Sequence, residues 1–176
     1  HKNHIVILQA LQRLKDQGEN FYVIFTGVDK GNLSYIKKEV ESRNLTDTVL
    51  FLGFVSQKQL IALYEHAFAL AFASYFGPNN LPPLEAFALH CPVIAADVAG
   101  AREQLEDAAC YFDPRSPDQL VEQSLLLKNN EALRVKKIAL GKKCAMSWTS
   151  KDYVAKIIEI IDEFEPVRKC WSIRNK

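Results

Sequence analysis

The sequence predicts an α/β fold: a Rossmann-like, doubly wound parallel sheet with helices on both faces and a helical segment at the carboxyl-terminal end. Short apolar runs typical of buried strands alternate with amphipathic segments of roughly ten residues, which are typical of helices. After Pro117 the strand-like runs stop, while helical periodicity continues to about residue 165. Strands that alternate with helices form β-α-β units, and such units build parallel sheets.

Five apolar runs predict the strands. Two of them, 21–25 and 67–73, are apolar throughout, as expected for strands buried on both faces of a sheet. Glycine, asparagine or proline residues lie close to the ends of the runs and favour turns there. The predicted strands are 21–25, 49–53, 67–73, 92–96 and 109–112.

Apolar spacing and capping residues predict the helices between these strands. The first runs from His4 to Gln17, and a second lies around residues 33–40. Ser56 and Gln59 have the spacing of a capping box, so a third helix begins there.

The carboxyl-terminal third is predicted to be helical. A turn and cap at residues 148–150 precede the last helix, which we expect to end at Pro166 because proline breaks helices. The predicted organisation is one domain at residues 1–165, followed by a polar tail at 166–176.

Composition and charge exclude several classes of protein. The 176-residue chain is 48% apolar and 24% charged, with a formal net charge of +1. A general electrostatic attraction to nucleic acid or to an anionic membrane is therefore not expected. No apolar run approaches the roughly 18 residues that a membrane-spanning helix needs.

The first residue and the cysteines indicate the context of the chain. The sequence begins at His1 rather than methionine and enters a helical pattern almost at once, which suggests a piece of a longer polypeptide. The cysteines lack the C-x-x-C and cysteine–histidine spacings of metal sites, so reduced thiols in a cytoplasmic protein are favoured over a disulfide or metal framework. They are Cys91, Cys110, Cys144 and Cys170.

Ligands of open parallel sheets bind at the carboxyl ends of the strands, so the loops that follow the strands are the candidate sites. Residues 26–31 contain two glycines without the G-x-G-x-x-G spacing of a dinucleotide site, which favours a simple turn. Val55, in the next loop, could pack on a planar base or could be a buried residue in a tight connection. Residues 97–101 could border the cleft, but their pattern favours an ordinary loop.

Residues 74–88 form the most informative loop. We expect its helix to begin with proline at the first position and to carry Glu85 in the first turn. A carboxylate there could accept hydrogen bonds from the vicinal hydroxyls of a ribose, or could merely complement the helix dipole. Because Pro82 and Pro83 lack N–H groups, an anion would need the N–H groups or amides of residues 79–81.

The order of several motifs resembles that of a known family. The motifs are residues 1–4, 49–55, 81–88, 91–96, 107–109 with 113–114, and 147–148. In this order they resemble the carboxyl-terminal, nucleotide-sugar-binding domain of glycosyltransferase family 4, whose members are retaining enzymes of the GT-B fold. The resemblance covers the chain from Lys2 to about Phe164.

The resemblance implies roles for particular residues. Lys2 matches the catalytic lysine that neutralises the leaving diphosphate, in keeping with a cation facing developing negative charge. Val55 matches the position beside the nucleotide base. Glu85 matches the second glutamate of the family's E-x7-E pair, which holds the ribose hydroxyls.

The sequence departs from the family at the other end of that pair. Gly77 stands eight residues before Glu85, where the family has the glutamate that touches the donor sugar. The change leaves the identity of the donor sugar open. Asn79 or Asn80 is the candidate for the sugar contacts, and the expected donor-sugar and diphosphate residues are Gly77, Asn79, Asn80 and Leu81.

The resemblance also implies a reaction and its partners. The full-length protein would move a sugar from a UDP- or GDP-sugar to a glycan or lipid-linked acceptor in bacterial surface polysaccharide synthesis, retaining the anomeric configuration, without a cofactor or a required metal. An amino-terminal domain that binds the acceptor would lie outside this chain, so the chain alone should be inactive. The expected location is the cytoplasm, with contact to the inner face of the membrane through the missing half left open.

Two other functions remain open on the sequence alone. Gly77 in place of the glutamate favours a non-catalytic nucleotide-sugar-binding or regulatory domain of the same fold. A plain interaction domain that uses the final helices would bind no nucleotide at all.

Overall fold

A computed structural model of the chain describes residues 1–76, 81–147 and 149–173. The chain divides into two units, His1–Ala145 and a second that begins at Met146. The predicted turn residue Trp148 lies outside the described residues. Among the described helices, none combines the length and the apolar character that crossing a bilayer requires.

The described strands form parallel sheets, as predicted. In the first unit, β1 (Val23–Thr26) pairs with β2 (Val49–Gly53) in a two-stranded sheet. The strands β3 (Leu70–Phe72), β4 (Val93–Ala96) and β5 (Cys110–Phe112) form a three-stranded sheet in that order. All of these pairs are parallel, which places the carboxyl ends of paired strands at the same edge.

Helices alternate with the strands, and a short 3-10 turn, Glu106–Ala108, precedes β5. The sequence prediction of helices between the strands is confirmed. The helices are α1 (His4–Asp16), α2 (Leu33–Ser42), α3 (Gln57–His66), α4 (Leu81–Ala88), α5 (Ala101–Leu105), α6 (Pro117–Asn129), α7 (Glu131–Met146) and α8 (Ser150–Ile173).

The core is built on β4, whose residues are all buried. Ile94 and Ala96 belong to a buried cluster with α1 and α6, whereas Val93 and Ala95 belong to a second cluster with α4 and α5. Since successive side chains of a strand point to opposite faces, helices cover both faces of this sheet. The doubly wound α/β architecture predicted from the sequence is therefore confirmed.

The sheet of β1 and β2 differs from its prediction. Val23 and Phe25 pack against a cluster from α1 and α2, but Ile24 is 47% exposed and Leu50 46%. The prediction of a strand buried on both faces is thus wrong for β1. An open pocket separates Leu52 of β2 from α3, and every residue of α3 stays at least partly exposed.

In the second unit, α8 also differs from its prediction. Its cap is as expected, because Thr149 Oγ1 donates to Asp152 Oδ2 at 2.6 Å and accepts from the backbone N–H of Asp152 at 3.3 Å. The helix does not end at Pro166, however, but continues to Ile173. A proline removes one backbone hydrogen bond, and in this exposed helix water can satisfy the carbonyl that loses its partner.

Contacts that span Pro166 accompany this continuation. The rings of Phe164 and Trp171 meet edge to face at 5.7 Å, and Lys169 Nζ lies 3.1 Å from Glu165 Oε1. Pairs at these spacings share one side of a helix. The polar tail predicted at residues 166–176 is therefore helical as far as Ile173.

The close packing of α7 on α4 gives a test of the fold. A Cβ atom on Gly141 would lie 2.5 Å from Cδ1 and 2.9 Å from Cγ of the buried Phe87 ring. Gly141→Ala should lower the free energy of unfolding, because overpacking costs about 1–3 kcal/mol and outweighs the ~1 kcal/mol that alanine gains over glycine in a helix. Urea unfolding measures the change.

The matched control for Gly141→Ala is a double-mutant cycle with Phe87→Leu. The smaller side chain makes room for the new methyl group, so Gly141→Ala should cost less in the Phe87→Leu background than in the wild type. A Gly141→Ala variant more stable than the wild type would contradict the packing described here.

Candidate nucleotide-sugar site

The first three residues of the chain lie across the carboxyl ends of β3 and β5. The carbonyl of His1 accepts a hydrogen bond from the backbone N–H of Tyr75 at 3.0 Å, just beyond β3. Asn3 Nδ2 donates to the carbonyl of Pro114 at 2.7 Å, just beyond β5. The ring of His1 also contacts that of Phe76, with centroids 5.4 Å apart. This segment is therefore tied to the predicted ligand loop at residues 74–88 and to the loop after β5.

Lys2 lies between His1 and Asn3, the two residues that make these hydrogen bonds. Its Nζ is 5.8 Å from the centroid of the Phe72 ring, which belongs to the last residue of β3. The side chain is otherwise exposed, so the ammonium group is available to an anion at this edge. The structure thus brings Lys2 to the carboxyl end of β3.

The loops after β1 and β2 contact each other. The backbone N–H of Gly27, at φ 122°, donates to the carbonyl of Gly53 at 2.7 Å. Asp29 Oδ1 accepts from the backbone N–H groups of Gly31, Asn32 and Leu33. A phosphate at the start of α2 would need these same donors. The geometry favours the turn interpretation of residues 26–31.

Val55 lies on an open pocket between β2 and α3. The pocket has a volume of about 430 Å³, and Val55 itself is half-buried. The capping box is present, because Gln59 N donates to Ser56 Oγ at 3.4 Å and Ser56 N donates to Gln59 Oε1 at 2.8 Å. The lining residues are Leu52, Phe54, Val55, Gln59, Ala62, Leu63 and His66.

Glu85 is the fifth residue of α4, not a member of its first turn as predicted. The helix begins at Leu81, so the prolines occupy its second and third positions rather than the first. Proline is accepted there because the first four N–H groups of a helix have no partner inside it. Pro82 and Pro83 both lie in the amino-terminal turn of α4, so this helix start has fewer backbone N–H donors than usual, as predicted.

The Glu85 carboxylate is exposed, and a tyrosine of α3 reaches it. Tyr64 Oη donates to Glu85 Oε2 at 3.4 Å, a long hydrogen bond. Burial raises the pKa of the Tyr64 hydroxyl well above its usual range, and the charge of Glu85 adds to the shift. The hydroxyl therefore remains protonated and able to donate. The sequence interpretation missed Tyr64, which carries no local motif.

Of the expected donor-sugar residues, the structure describes Leu81, which is exposed at the start of α4. Gly77, Asn79 and Asn80 lie outside the described residues.

Two histidines near helix ends have local structural roles: His66 Nδ1 donates to the carbonyl of Ala62 at 2.9 Å. His90 follows α4 with φ 61°, the left-handed conformation of helix ends.

A second pocket, with a volume of about 440 Å³, opens beside Tyr75, Asp97 and Asp113, which follow β3, β4 and β5. Arg102 donates to both carboxylate oxygens of Asp97, at 2.9 and 2.7 Å. Arg115 clamps Asp113 in the same way, at 3.0 and 2.9 Å. The sequence interpretation favoured an ordinary loop at residues 97–101 over a border of the cleft, and it missed both pairs.

Comparison with known proteins decides the family. The sequence model of the family described as "Glycosyl transferases group 1" matches residues 1–143. The chain belongs to this family. It is 37% identical over 98 residues to the O-antigen chain mannosyltransferase RfbU of Salmonella typhimurium, covering 56% of this chain and 27% of that protein. It is 27% identical over 122 residues to the serotype-specific mannosyltransferase WbdA of Escherichia coli, covering 69% and 15%.

Solved glycosyltransferases of the GT-B fold share the architecture. Sucrose-phosphate synthase from Thermosynechococcus elongatus superposes with a TM-score of 0.78 at 19% identity, over 98% of this chain and 43% of that one. Anabaena HepE in complex with UDP gives 0.79 at 20% identity, over 92% and 45%. The carboxyl-terminal domain of a group 1 protein, LpcC from Francisella tularensis, gives 0.71 at 23% identity, over 83% and 78%. The chain spans about a quarter of the length of RfbU and less than half of the first two structures.

The Asp113–Arg115 pair makes a prediction about titration. The hydrogen bond from the Arg115 side chain, with that from its backbone N–H, holds the pKa of Asp113 below its ordinary value. Arg115→Gln should raise the pKa of Asp113 part of the way back, as followed by carboxyl-carbon NMR. Since the ionised carboxylate is the paired form, the pair's small contribution to stability is present above that ordinary pKa and is lost as the pH falls through the lowered pKa.

Asp29 is the matched control in the same spectrum. Backbone N–H groups, chiefly those of Gly31 and Leu33, lower the pKa of Asp29, and Arg115 is not among its causes. Its titration should therefore be unchanged in Arg115→Gln. If the pKa of Asp113 is the same in Arg115→Gln as in the wild type, Arg115 does not lower it.

Proposed function

We propose that this chain is the carboxyl-terminal, donor-binding domain of a retaining glycosyltransferase of family 4 that uses a UDP- or GDP-sugar. One observation carries the proposal: Lys2 lies at the carboxyl end of β3, the strand that precedes the helix of Glu85. Lys2 lies over Phe72 at the end of that strand, and Glu85 belongs to α4, the next helix in the chain. Ligands of open parallel sheets bind at such strand ends.

Each of the two residues has a chemistry suited to part of a nucleoside diphosphate sugar. The ammonium group of Lys2 would neutralise the charge that develops on the diphosphate as the sugar leaves, which is the catalytic role proposed for it. The carboxylate of Glu85 would accept hydrogen bonds from the vicinal ribose hydroxyls, since an ionised carboxylate only accepts.

The base and the sugar complete the proposed site. Val55 would lie beside the base at the amino-terminal end of α3, next to the pocket that it lines. Gly77, Asn79, Asn80 and Leu81 would contact the sugar and the diphosphate. A metal ion is not required in this proposal, because Lys2 supplies the positive charge. Nucleotide binding by this chain and sugar transfer by the full-length protein should then persist in the presence of EDTA.

The relatives suggest the reaction of the whole protein. Because curated relatives are O-antigen and serotype-specific mannosyltransferases, mannose is the first donor sugar to test, and a glycan or lipid-linked acceptor in surface polysaccharide synthesis is the proposed partner. The acceptor would bind to an amino-terminal domain outside this chain, and this chain alone would not turn over. Contact with the inner face of the membrane through that domain belongs to the same proposal.

The alternative is a non-catalytic nucleotide-sugar-binding or regulatory domain of the same fold. The observation that favours it is Gly77 in place of the family's glutamate. Sugar transfer by the full-length protein would exclude this alternative. The anomeric configuration of the product, read by NMR, would separately test whether the reaction retains configuration.

The role of Glu85 is tested by calorimetric titration of the chain with UDP and with GDP. Glu85→Ala should weaken binding of the preferred nucleotide about 10- to 100-fold, because hydrogen bonds to a charged group contribute roughly 1.5–3 kcal/mol. Glu65→Ala is the matched control, since Glu65 is an exposed carboxylate on α3, and it should bind like the wild type. Equal affinities of Glu85→Ala and the wild type would exclude the ribose role.

The role of Lys2 is tested by comparing UDP with UMP, or GDP with GMP. Lys2→Ala should weaken binding of the diphosphate more than that of the monophosphate, because the cation is proposed to face the outer phosphate. The extra loss should be about tenfold, in the range of a single charge-assisted hydrogen bond, and should shrink as salt is added. Lys58→Ala, an exposed lysine on α3, is the control. Equal losses for the two nucleotides would contradict the assignment.

A further inference from the structure

Tyr64 connects two helices at the candidate site. It projects from α3, and its ring packs against the buried cluster that contains Ala86 and Phe87 of α4. Its hydroxyl group reaches Glu85 Oε2 at the border between this core and the solvent. The body of the tyrosine is therefore fixed by packing, while its polar end meets the carboxylate.

The protonation state of Tyr64 makes it a constant donor. Burial and the neighbouring carboxylate both disfavour the phenolate and raise the pKa of Tyr64 well above the physiological range. A glutamate carboxylate has two oxygens and about four acceptor positions, of which the Tyr64 hydroxyl occupies one. The remaining positions are open to a ligand, because Glu85 is exposed.

An exposed glutamate loses side-chain conformational freedom when it binds a ligand. That loss weakens binding unless the side chain is already held in the bound orientation. In the part of the chain that the structure describes, the Tyr64 hydroxyl is the hydrogen-bond donor recorded for the Glu85 side chain. Tyr64 is thus placed to restrict the carboxylate before the ligand arrives.

We infer that Tyr64 is a positioning residue, which holds the Glu85 carboxylate in the orientation that accepts the ribose hydroxyls of the donor nucleotide. This inference rests on the proposed function of Glu85. It adds that part of the nucleotide affinity depends on a hydroxyl group of α3 that acts through Glu85.

The test uses Tyr64→Phe, which removes the hydroxyl group and keeps the ring. Its affinity for the preferred nucleoside diphosphate should fall about three- to tenfold, because a hydrogen bond as long as 3.4 Å contributes less than a short one to a charged group. The affinity for the 2′,3′-dideoxy form of the same nucleotide should be unchanged, because that ligand offers no ribose hydroxyls to Glu85. A purely structural role of Tyr64 would weaken both ligands equally.

A double-mutant cycle assigns the effect to Glu85. In the Glu85→Ala background, Tyr64→Phe should have no further effect on the affinity for the nucleotide. Tyr111→Phe is the matched control, because its hydroxyl donates to the carbonyl of Glu106 at 2.6 Å and not to the candidate site. Thermal unfolding of each variant checks that the fold is kept.

The outcomes separate this inference from the proposed function. Suppose that Glu85→Ala binds the ribonucleotide more weakly but the dideoxynucleotide as well as the wild type does, and that Tyr64→Phe binds both like the wild type. Glu85 then keeps its proposed contact with the ribose, and the inference on Tyr64 is wrong. The inference on Tyr64 is also wrong if Tyr64→Phe weakens the affinities for the ribonucleotide and for its 2′,3′-dideoxy form equally. If the wild type binds neither UDP nor GDP at millimolar concentration, the proposed function fails and the inference fails with it.

Discussion

The burial of β4 on both faces is the constraint on which the rest of the structure depends. Its side chains anchor one helical layer through Ile94 and Ala96 and the other through Val93 and Ala95. Its backbone pairs in parallel with β3 on one side and β5 on the other, which fixes the register of all three strands. The loops that follow these strands therefore begin at one edge, although they are far apart in the sequence.

The amino-terminal segment completes that edge with few interactions. Asn3 adopts a left-handed conformation, φ 54°, which asparagine tolerates better than most residues, and its side-chain amide binds the carbonyl of Pro114. The carbonyl of His1 is bound on the other side by Tyr75. Lys2 is thus held through the neighbouring residue on each side, while its own exposed side chain can meet an anion. A cation held in this way needs less reorganisation on binding than one on a mobile loop.

The sequence was sufficient where local rules decide the structure. The alternation of strands and helices, the capping box at Ser56 and Gln59 and the cap at Thr149 are all local, and the structure confirms them. The wrong predictions concern residues whose state depends on their surroundings. The apolar run of β1 does not reveal that one of its faces lacks a cover, and Pro166 does not end a helix whose exposed carbonyl water can satisfy.

In the candidate site, too, some residues could be selected from the sequence and others depend on how the chain folds. Lys2, Val55 and Glu85 could be selected from the sequence, because the order of the motifs around them resembles that of a family. The partners of the carboxylates could not be selected from the sequence. Tyr64 and Glu85 are 21 positions apart, and the periodicity of α3 does not indicate which helix its tyrosine faces. The arginine of each Asp–Arg pair is near its aspartate in sequence, but only the fold shows that both aspartates line one pocket.

The two prolines of α4 explain why the proposed site needs a separate cation. A helix start normally offers several free N–H groups and a positive dipole end to an anion. In α4 the second and third residues are prolines, so two of these donors are missing. At the start of α2, the carboxylate of Asp29 already occupies the N–H groups. A diphosphate at this edge would therefore depend on Lys2 for positive charge, which links the anchoring of residues 1–3 directly to the proposed chemistry.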